Sequence, residues 1–159
     1  HILKSLNPRS GRSVTVFPHG VLFRDAGQEM RQNMIKQDLV DAVIGLGKNL
    51  FFGSGMECCL VVCRKNKPLD RKGKVLFIDA KDEIRLERSE AFLKETHIEK
   101  INKTYQDLIT EATGVQMRWV ECYVVPGFPS SGRSNATCEC TPGATRCYGM
   151  MKDELGNRD

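Results

Sequence analysis

No apolar stretch in these 159 residues approaches the roughly 20 consecutive apolar positions that a membrane-spanning helix needs. The N-terminus also lacks the basic, apolar and small-residue succession of a secretory signal peptide. A cytoplasmic location is the expectation that follows. Excess charge is lacking too: a formal net charge of +4 permits contact with nucleic acid but falls short of the footprint of a dedicated binder. No glycine-rich, phosphate-cradling loop follows the first strand, which weighs against a self-contained nucleotide-binding domain. The seven cysteines are an odd number, unsuited to a disulfide framework. Three of them, Cys58, Cys59 and Cys63, fall in or beside an apolar run, where they behave as small apolar side chains. Cys138, Cys140 and Cys147 lack the fourth ligand and the spacing of a zinc site, so no metal is expected. Asn102-Lys103-Thr104 and Asn135-Ala136-Thr137 matter as glycosylation acceptors only in a secreted protein, and the Lys-Asp-Glu-Leu at 152–155 is internal, not a C-terminal retention signal.

What is present centres on residues 37–80. Val40 to Leu46 and residues 58–63 are short apolar runs rich in β-branched residues, which suits buried strands. Gly47, Gly53 and Gly55 lie between them and free the backbone to turn or to approach a ligand, and the same connection carries the adjacent rings of Phe51 and Phe52. Residues 75–78 read as a third strand. Upstream, residues 13–18 read as a strand with Val14 and Val16 alternating, and Asp25 opens a helix with Gln28 as capping-box partner and Met30, Met34 and Ile35 on one face. Strand, helix and strand in succession specify an α/β sheet, with a crossover long enough for a parallel pair.

Residues 83–92 read as a charged, weakly periodic helix. Thr96 with Glu99 then caps another, whose Ile98, Ile101, Tyr105 and Leu108 form a narrow stripe, either core or a face offered to another subunit. Residues 120–125 read as one more strand, and residues 126–159 as poorly ordered. Residues 1–6 read as the last turn of a helix, and the chain, opening at His1, as a piece of a longer protein.

The segment at 64–74 sets six cations, Lys74 and the phosphate candidates Arg64, Lys65, Lys67, Arg71 and Lys72, around Pro68 and Gly73 with one acid. It is either a solvated hairpin tip or a set of phosphate contacts. Glu57, a lone acid at a strand edge, reads as solvated rather than as a general base. Asn7-Pro8, followed by Arg9 and Ser10, reads as a turn.

The run VIGLGKNLFFGSGMECCLVV, preceded by GVLFRDAGQEMRQNMI and followed by KGKVLFIDAKDE and THIEKI, closely resembles the modification subunit of type I restriction-modification systems over residues 3–108. Those subunits are adenine-specific DNA methyltransferases. The resemblance implies an α/β fold: the C-terminal strands of a Rossmann-like S-adenosylmethionine-dependent methyltransferase sheet with flanking helices. It places residues 1–109 in the C-terminal part of the catalytic domain and leaves 110–159 as a divergent tail. It implies that Phe51 and Phe52 stack on a flipped adenine, one ring outward and one inward, and that Pro18, His19 and Gly20 line the cleft beside it. His19 reads, on its residues alone, as a polar strand end facing solvent. The resemblance assigns the catalytic tetrapeptide and most of the S-adenosylmethionine site to sequence upstream, leaving no catalytic, cofactor or metal residue here. Double-stranded DNA, a specificity subunit and a restriction subunit are the implied partners. Gly47 stands where the family has proline, and Glu57-Cys58 replaces a proline-small pair; both loosen the loop. Two expectations stand: part of an adenine-N6 methyltransferase, inactive as 159 residues alone, or a non-catalytic remnant or accessory module.

Overall fold

Ten regular elements follow one another in the computed structural model, which describes residues 1–51, 54–87, 90–108 and 112–121. They are α1 (Ile2–Ser5), β1 (Arg12–Pro18), α2 (Gln28–Lys36), β2 (Val40–Leu46), β3 (Cys58–Arg64), β4 (Lys74–Ala80), β5 (Arg85–Glu87), β6 (Glu90–Phe92), α3 (Glu95–Asp107) and β7 (Gln116–Glu121). Five strands form one sheet in the order β1-β3-β2-β4-β7, and β5 and β6 form a separate hairpin. The sheet is mixed: β2 runs parallel to β4, and every other pair in it is antiparallel.

The order corrects the expected crossover. β1 and β2 point the same way on either side of α2, but β3 lies between them, antiparallel to both, with Val16 and Ile44 each opposite Leu60. Strands β2 and β3 are consequently covered on both faces, and that double burial is why they read as continuous apolar runs rather than as alternation. One face carries Val43, Cys59, Val61, Cys63 and Phe77 beneath Met34, Ile35 and Leu3. The other carries Ala42, Ile44, Val62, Leu76 and Ile78 beneath Ile101 and Tyr105 of α3. Burying a side chain such as Leu76 or Ile78, both 0% exposed, contributes about 1.5–3 kcal/mol. The α3 stripe is thus core, with Ile98 alone turned outward.

A shift of register between Val40 and Ala42 marks a β-bulge, which re-aims side chains locally. It brings Asp41, 0% exposed, within reach of α3 and of the connection between β3 and β4. Asp41 Oδ2 accepts hydrogen bonds from Tyr105 Oη at 2.6 Å and Arg71 Nη1 at 3.1 Å, with Arg64 Nε 3.9 Å away. Arg71 also lies over the Tyr105 and Trp119 rings, 5.1 and 5.7 Å from their centroids. Burial and the Asp41 carboxylate raise the Tyr105 phenol above its ordinary range.

Four local expectations are corrected. Within the expected helix at 83–92, Arg85–Glu87 and Glu90–Phe92 form the antiparallel pair β5–β6 instead, because the apolar positions never establish a 3.6-residue period. The helix expected from Asp25 begins at Gln28 after a 3-10 turn over Asp25–Gly27 without a side-chain cap, and Met30 is exposed while Met34 and Ile35 pack inward. Helix α3 starts at Glu95, where His97 Nδ1 accepts the Lys94 backbone N–H at 3.3 Å, in place of the Thr96–Glu99 box. The last strand lies at Gln116–Glu121, and the remainder of the expected strand at 120–125, like the tail at 126–159, falls outside the described residues. Among the described residues no helix is long and apolar enough to cross a membrane.

Candidate functional site

At the end of β1 and the start of β3 the chain leaves an open cleft of about 210 Å³. Strand β1 contributes Val16, Phe17 and Pro18, the β2–β3 connection contributes Phe51, Ser54, Met56 and Glu57, and Cys58 completes the lining. The volume is below the roughly 300–1,000 Å³ of pockets that enclose whole ligands. It suits one flat group laid against an apolar wall.

The connection above this cleft is fixed at defined points. Gly47 is buried, and a Cβ there would stand 2.6 Å from the Lys81 carbonyl and 2.8 Å from Ile84 Cδ1, so only glycine lets the loop pass under the β4–β5 turn. Asn49 adopts φ of 61°, and its carbonyl accepts the Ala91 N–H of β6 at 3.0 Å. A tight turn follows, in which Ser54 N–H donates to the Phe51 carbonyl at 3.0 Å. Phe51 is 47% exposed, a large ring left uncovered at the cleft. Phe52 lies outside the described residues.

Of the other expected cleft residues, Pro18 lines the cleft directly. Gly20 instead faces the Arg24 side chain, 2.8 Å from where a Cβ would stand. His19 is turned neither into the cleft lining nor to solvent: its side chain is largely buried, and Nδ1 meets Glu57 Oε2 at 3.1 Å. Its backbone N–H donates to the Glu57 carbonyl at 3.1 Å, and its ring stands edge-on to Phe23. Glu57, expected to be solvated, is held between His19 and Lys48, whose Nζ is 3.6 Å from Oε1.

The five candidate phosphate-binding cations separate into two groups, and for three of them neither a solvated tip nor a phosphate contact holds. Arg64 and Arg71 are buried around Asp41. Lys67 is buried too, donating to Asp38 Oδ1 at 2.6 Å and to the Lys74 carbonyl at 2.7 Å. A buried cation requires a paired carboxylate, so these three hold the β3–β4 connection against β2 rather than facing solvent. Lys72 is exposed and Lys65 half-buried, and they remain the surface cations of the original five. The sequence offered one unused signal: Asp41 is an acid inside a wholly apolar strand, and a buried acid demands a cation. Cys58, Cys59 and Cys63 are buried free thiols. Burial raises all three, Cys59 from 9.0 to about 12. Among the described residues no cluster of three or more metal-ligating side chains occurs.

The fold is that of a methyltransferase, and the chain belongs to the N-6 DNA Methylase family, whose model matches residues 1–121. It is 35% identical over 89 residues, 55% of its length, to the type I restriction enzyme MjaVIII methylase subunit of Methanocaldococcus jannaschii, and covers 14% of that protein. It is 32% identical over 113 residues, 70% of its length, to the type I restriction enzyme MpnII methylase subunit of Mycoplasma pneumoniae, and covers 20% of it. The crystal structure of the type I restriction-modification methyltransferase subunit from Streptococcus thermophilus superposes with a TM-score of 0.61 at 32% identity, over 66% of this chain and 22% of that one. The type I restriction enzyme EcoKI M protein shares the fold at 16% identity and a TM-score of 0.57, covering 76% of this chain and 32% of that one. The chain therefore spans 14–20% of the length of these curated relatives. The cleft at the end of β1 does not fit S-adenosylmethionine, being too small for a nucleoside with its side chain.

Proposed function

We propose that this chain is the part of an adenine-N6 DNA methyltransferase subunit that receives the flipped target base, in a type I restriction-modification system with S-adenosylmethionine as methyl donor. The observation that carries this reading is the uncovered ring of Phe51 at an apolar cleft of single-ring-system size. An adenine amine inside a duplex is out of reach of any methyl donor, so the base must leave the stack and be held by a new one. Phe51 and Phe52 supply that stack, with Pro18 and Val16 as the apolar wall. Lys65 and Lys72 lie at the opposite end of β3 from the cleft, so any phosphates they contact lie farther along the duplex than those flanking the extruded base. The donor and the acceptors for the target amine come from other parts of the polypeptide, so no catalytic step is assigned to a residue here. Double-stranded DNA, a specificity subunit and a restriction subunit are the partners, and the cytoplasm is the compartment.

The test is Phe51→Ala and Phe52→Ala in the intact protein, assayed by methyl transfer and by the fluorescence of 2-aminopurine at the target position. Base-aromatic stacking contributes about 1–3 kcal/mol, which corresponds to an approximately 5–150-fold loss of the flipped state. Unchanged methyl transfer and unchanged 2-aminopurine fluorescence in both variants would refute the reading.

A further inference from the structure

We infer that Glu57 is a positioning residue: its carboxylate, held between His19 and Lys48, clamps the β2–β3 connection onto the end of β1 and thereby sets Phe51 over the cleft. Its functional meaning rests on the base-stacking reading; its geometry does not. Before the clamp the connection is fixed by Gly47 under Lys81 and by the Asn49 carbonyl on Ala91. Beyond Asn49 the described backbone has only its own local turn, Ser54 N–H to the Phe51 carbonyl and Met56 N–H to Ser54 Oγ at 3.4 Å. Leu50 packs against the core just before Phe51, while Met56 at the other end of the stretch is 61% exposed, so apolar packing anchors only the side that enters from β2. Glu57 is the next anchored residue, through its backbone carbonyl and its side chain alike.

The two arms of the clamp are unequal. His19 and Glu57 are 15% and 21% exposed, so their 3.1 Å contact is partly shielded from solvent. Lys48 is 64% exposed and 3.6 Å away, where water and salt weaken an ion pair. With Nδ1–H donating to Glu57, His19 Nε2 is buried and has no partner among the described residues. The ring thus has one orientation that satisfies the carboxylate. The departure of Glu57-Cys58 from the proline-small pair does not loosen the loop; a charged clamp stands where a rigid ring would.

Cys58 lines the cleft beneath this loop and is buried, whereas Cys63 lies at the far end of β3 on the opposite face of the sheet. Site-resolved alkylation of the intact protein by iodoacetamide, read by mass spectrometry, therefore reports the clamp through Cys58 and global unfolding through Cys63. Glu57→Ala and His19→Ala are expected to raise the Cys58 rate about tenfold with Cys63 unchanged. Lys48→Ala is expected to raise it less than about threefold, and Glu57→Gln, which keeps an acceptor for Nδ1–H, to retain most of the protection. In methyl transfer, Glu57→Ala raises KM for DNA and lowers the 2-aminopurine signal, and Glu57→Gln restores both. Unchanged Cys58 protection in Glu57→Ala overturns the clamp. Should Glu57→Ala open Cys63 as well, His19→Ala decides, because it leaves the carboxylate in place: faster Cys58 alkylation supports the clamp and unchanged alkylation overturns it. Faster Cys58 alkylation with methyl transfer unaffected, in these variants and in Phe51→Ala, upholds the clamp and refutes the base-stacking reading instead.

Discussion

Replacing Asp41 by alanine tests the buried charge cluster, and its cost follows from what is left behind. Asp41 is 0% exposed, and Arg71 and Arg64 beside it have side chains only 9% and 11% exposed. Without the carboxylate, Arg71 keeps the Tyr105 carbonyl at 3.1 Å and two aromatic faces but no counter-charge. Removing one member of a buried pair typically costs about 3–5 kcal/mol, because the surviving charge stays desolvated. Against a total stability of about 5–15 kcal/mol, that is a large fraction of the whole. At about 2–4 °C per kcal/mol for a chain of this size, the expected loss in Tm is about 6–20 °C. Urea unfolding followed by circular dichroism and by the fluorescence of Trp119, the single tryptophan, measures the loss in unfolding free energy directly. Asp41→Asn, which keeps an acceptor for Tyr105, should fall between. The double variant Asp41→Leu with Arg71→Met should recover much of the loss, since no buried charge of that pair remains to be solvated. A loss below about 1 kcal/mol for Asp41→Ala, or strictly additive losses in the double variant, would refute the reasoning.

Three further outcomes are expected. Gly47→Ala forces its Cβ against the Lys81 carbonyl, 2.6 Å away, and should destabilise by about 1–3 kcal/mol in urea unfolding while freeing Cys58 to alkylation. In DNA binding, Lys65→Ala with Lys72→Ala should lower the salt-dependence slope by about 1–2, whereas Arg71→Ala should reduce stability without a matching change in slope. Alkaline pH should destabilise the fold. The unfolded Cys59 thiol ionises near pH 9.0, while the folded one keeps its proton to about 12, so between these values the folded state binds more protons and stability falls as pH rises. Three pH units at about 1.4 kcal/mol each give up to about 4 kcal/mol, present below pH 9 and lost by pH 12. Cys58, Cys63 and Tyr105 act in the same direction, the phenol from about pH 10. Urea midpoints from pH 8 to 10.5 under reducing conditions, with Cys59→Ala as the flatter reference, measure the slope.

The three central strands were legible because β2, β3 and β4 announce double burial in apolar runs, interrupted in β2 by Asp41, and α3 because its stripe repeats at helical spacing. Strand order was not legible. Val14 and Val16 alternate as any strand does, and nothing in that period says that β3 rather than β2 lies alongside. The charges of 64–74 were misread for a similar reason: their partners, Asp38 and Asp41, sit about thirty residues away, and local composition cannot distinguish a cation facing solvent from one facing a carboxylate. Phe51 and Pro18 stand at one cleft, while the grip of Glu57 on His19 was hidden because it joins positions 38 apart.

The order of the sheet also sets an order in time. As the chain emerges from a ribosome, Arg12 precedes its pairing partner Arg64 by 52 residues, about 3–10 s of synthesis at roughly 5–20 residues per second. During that interval β1 has no native partner, because the strand that separates it from β2 is not yet made. The nascent polypeptide therefore carries Val14, Val16 and Phe17 as an unclaimed ribbon until β3 arrives to be gripped from both sides. The middle strand is the last of the first three to be born and the one that lets the other two join.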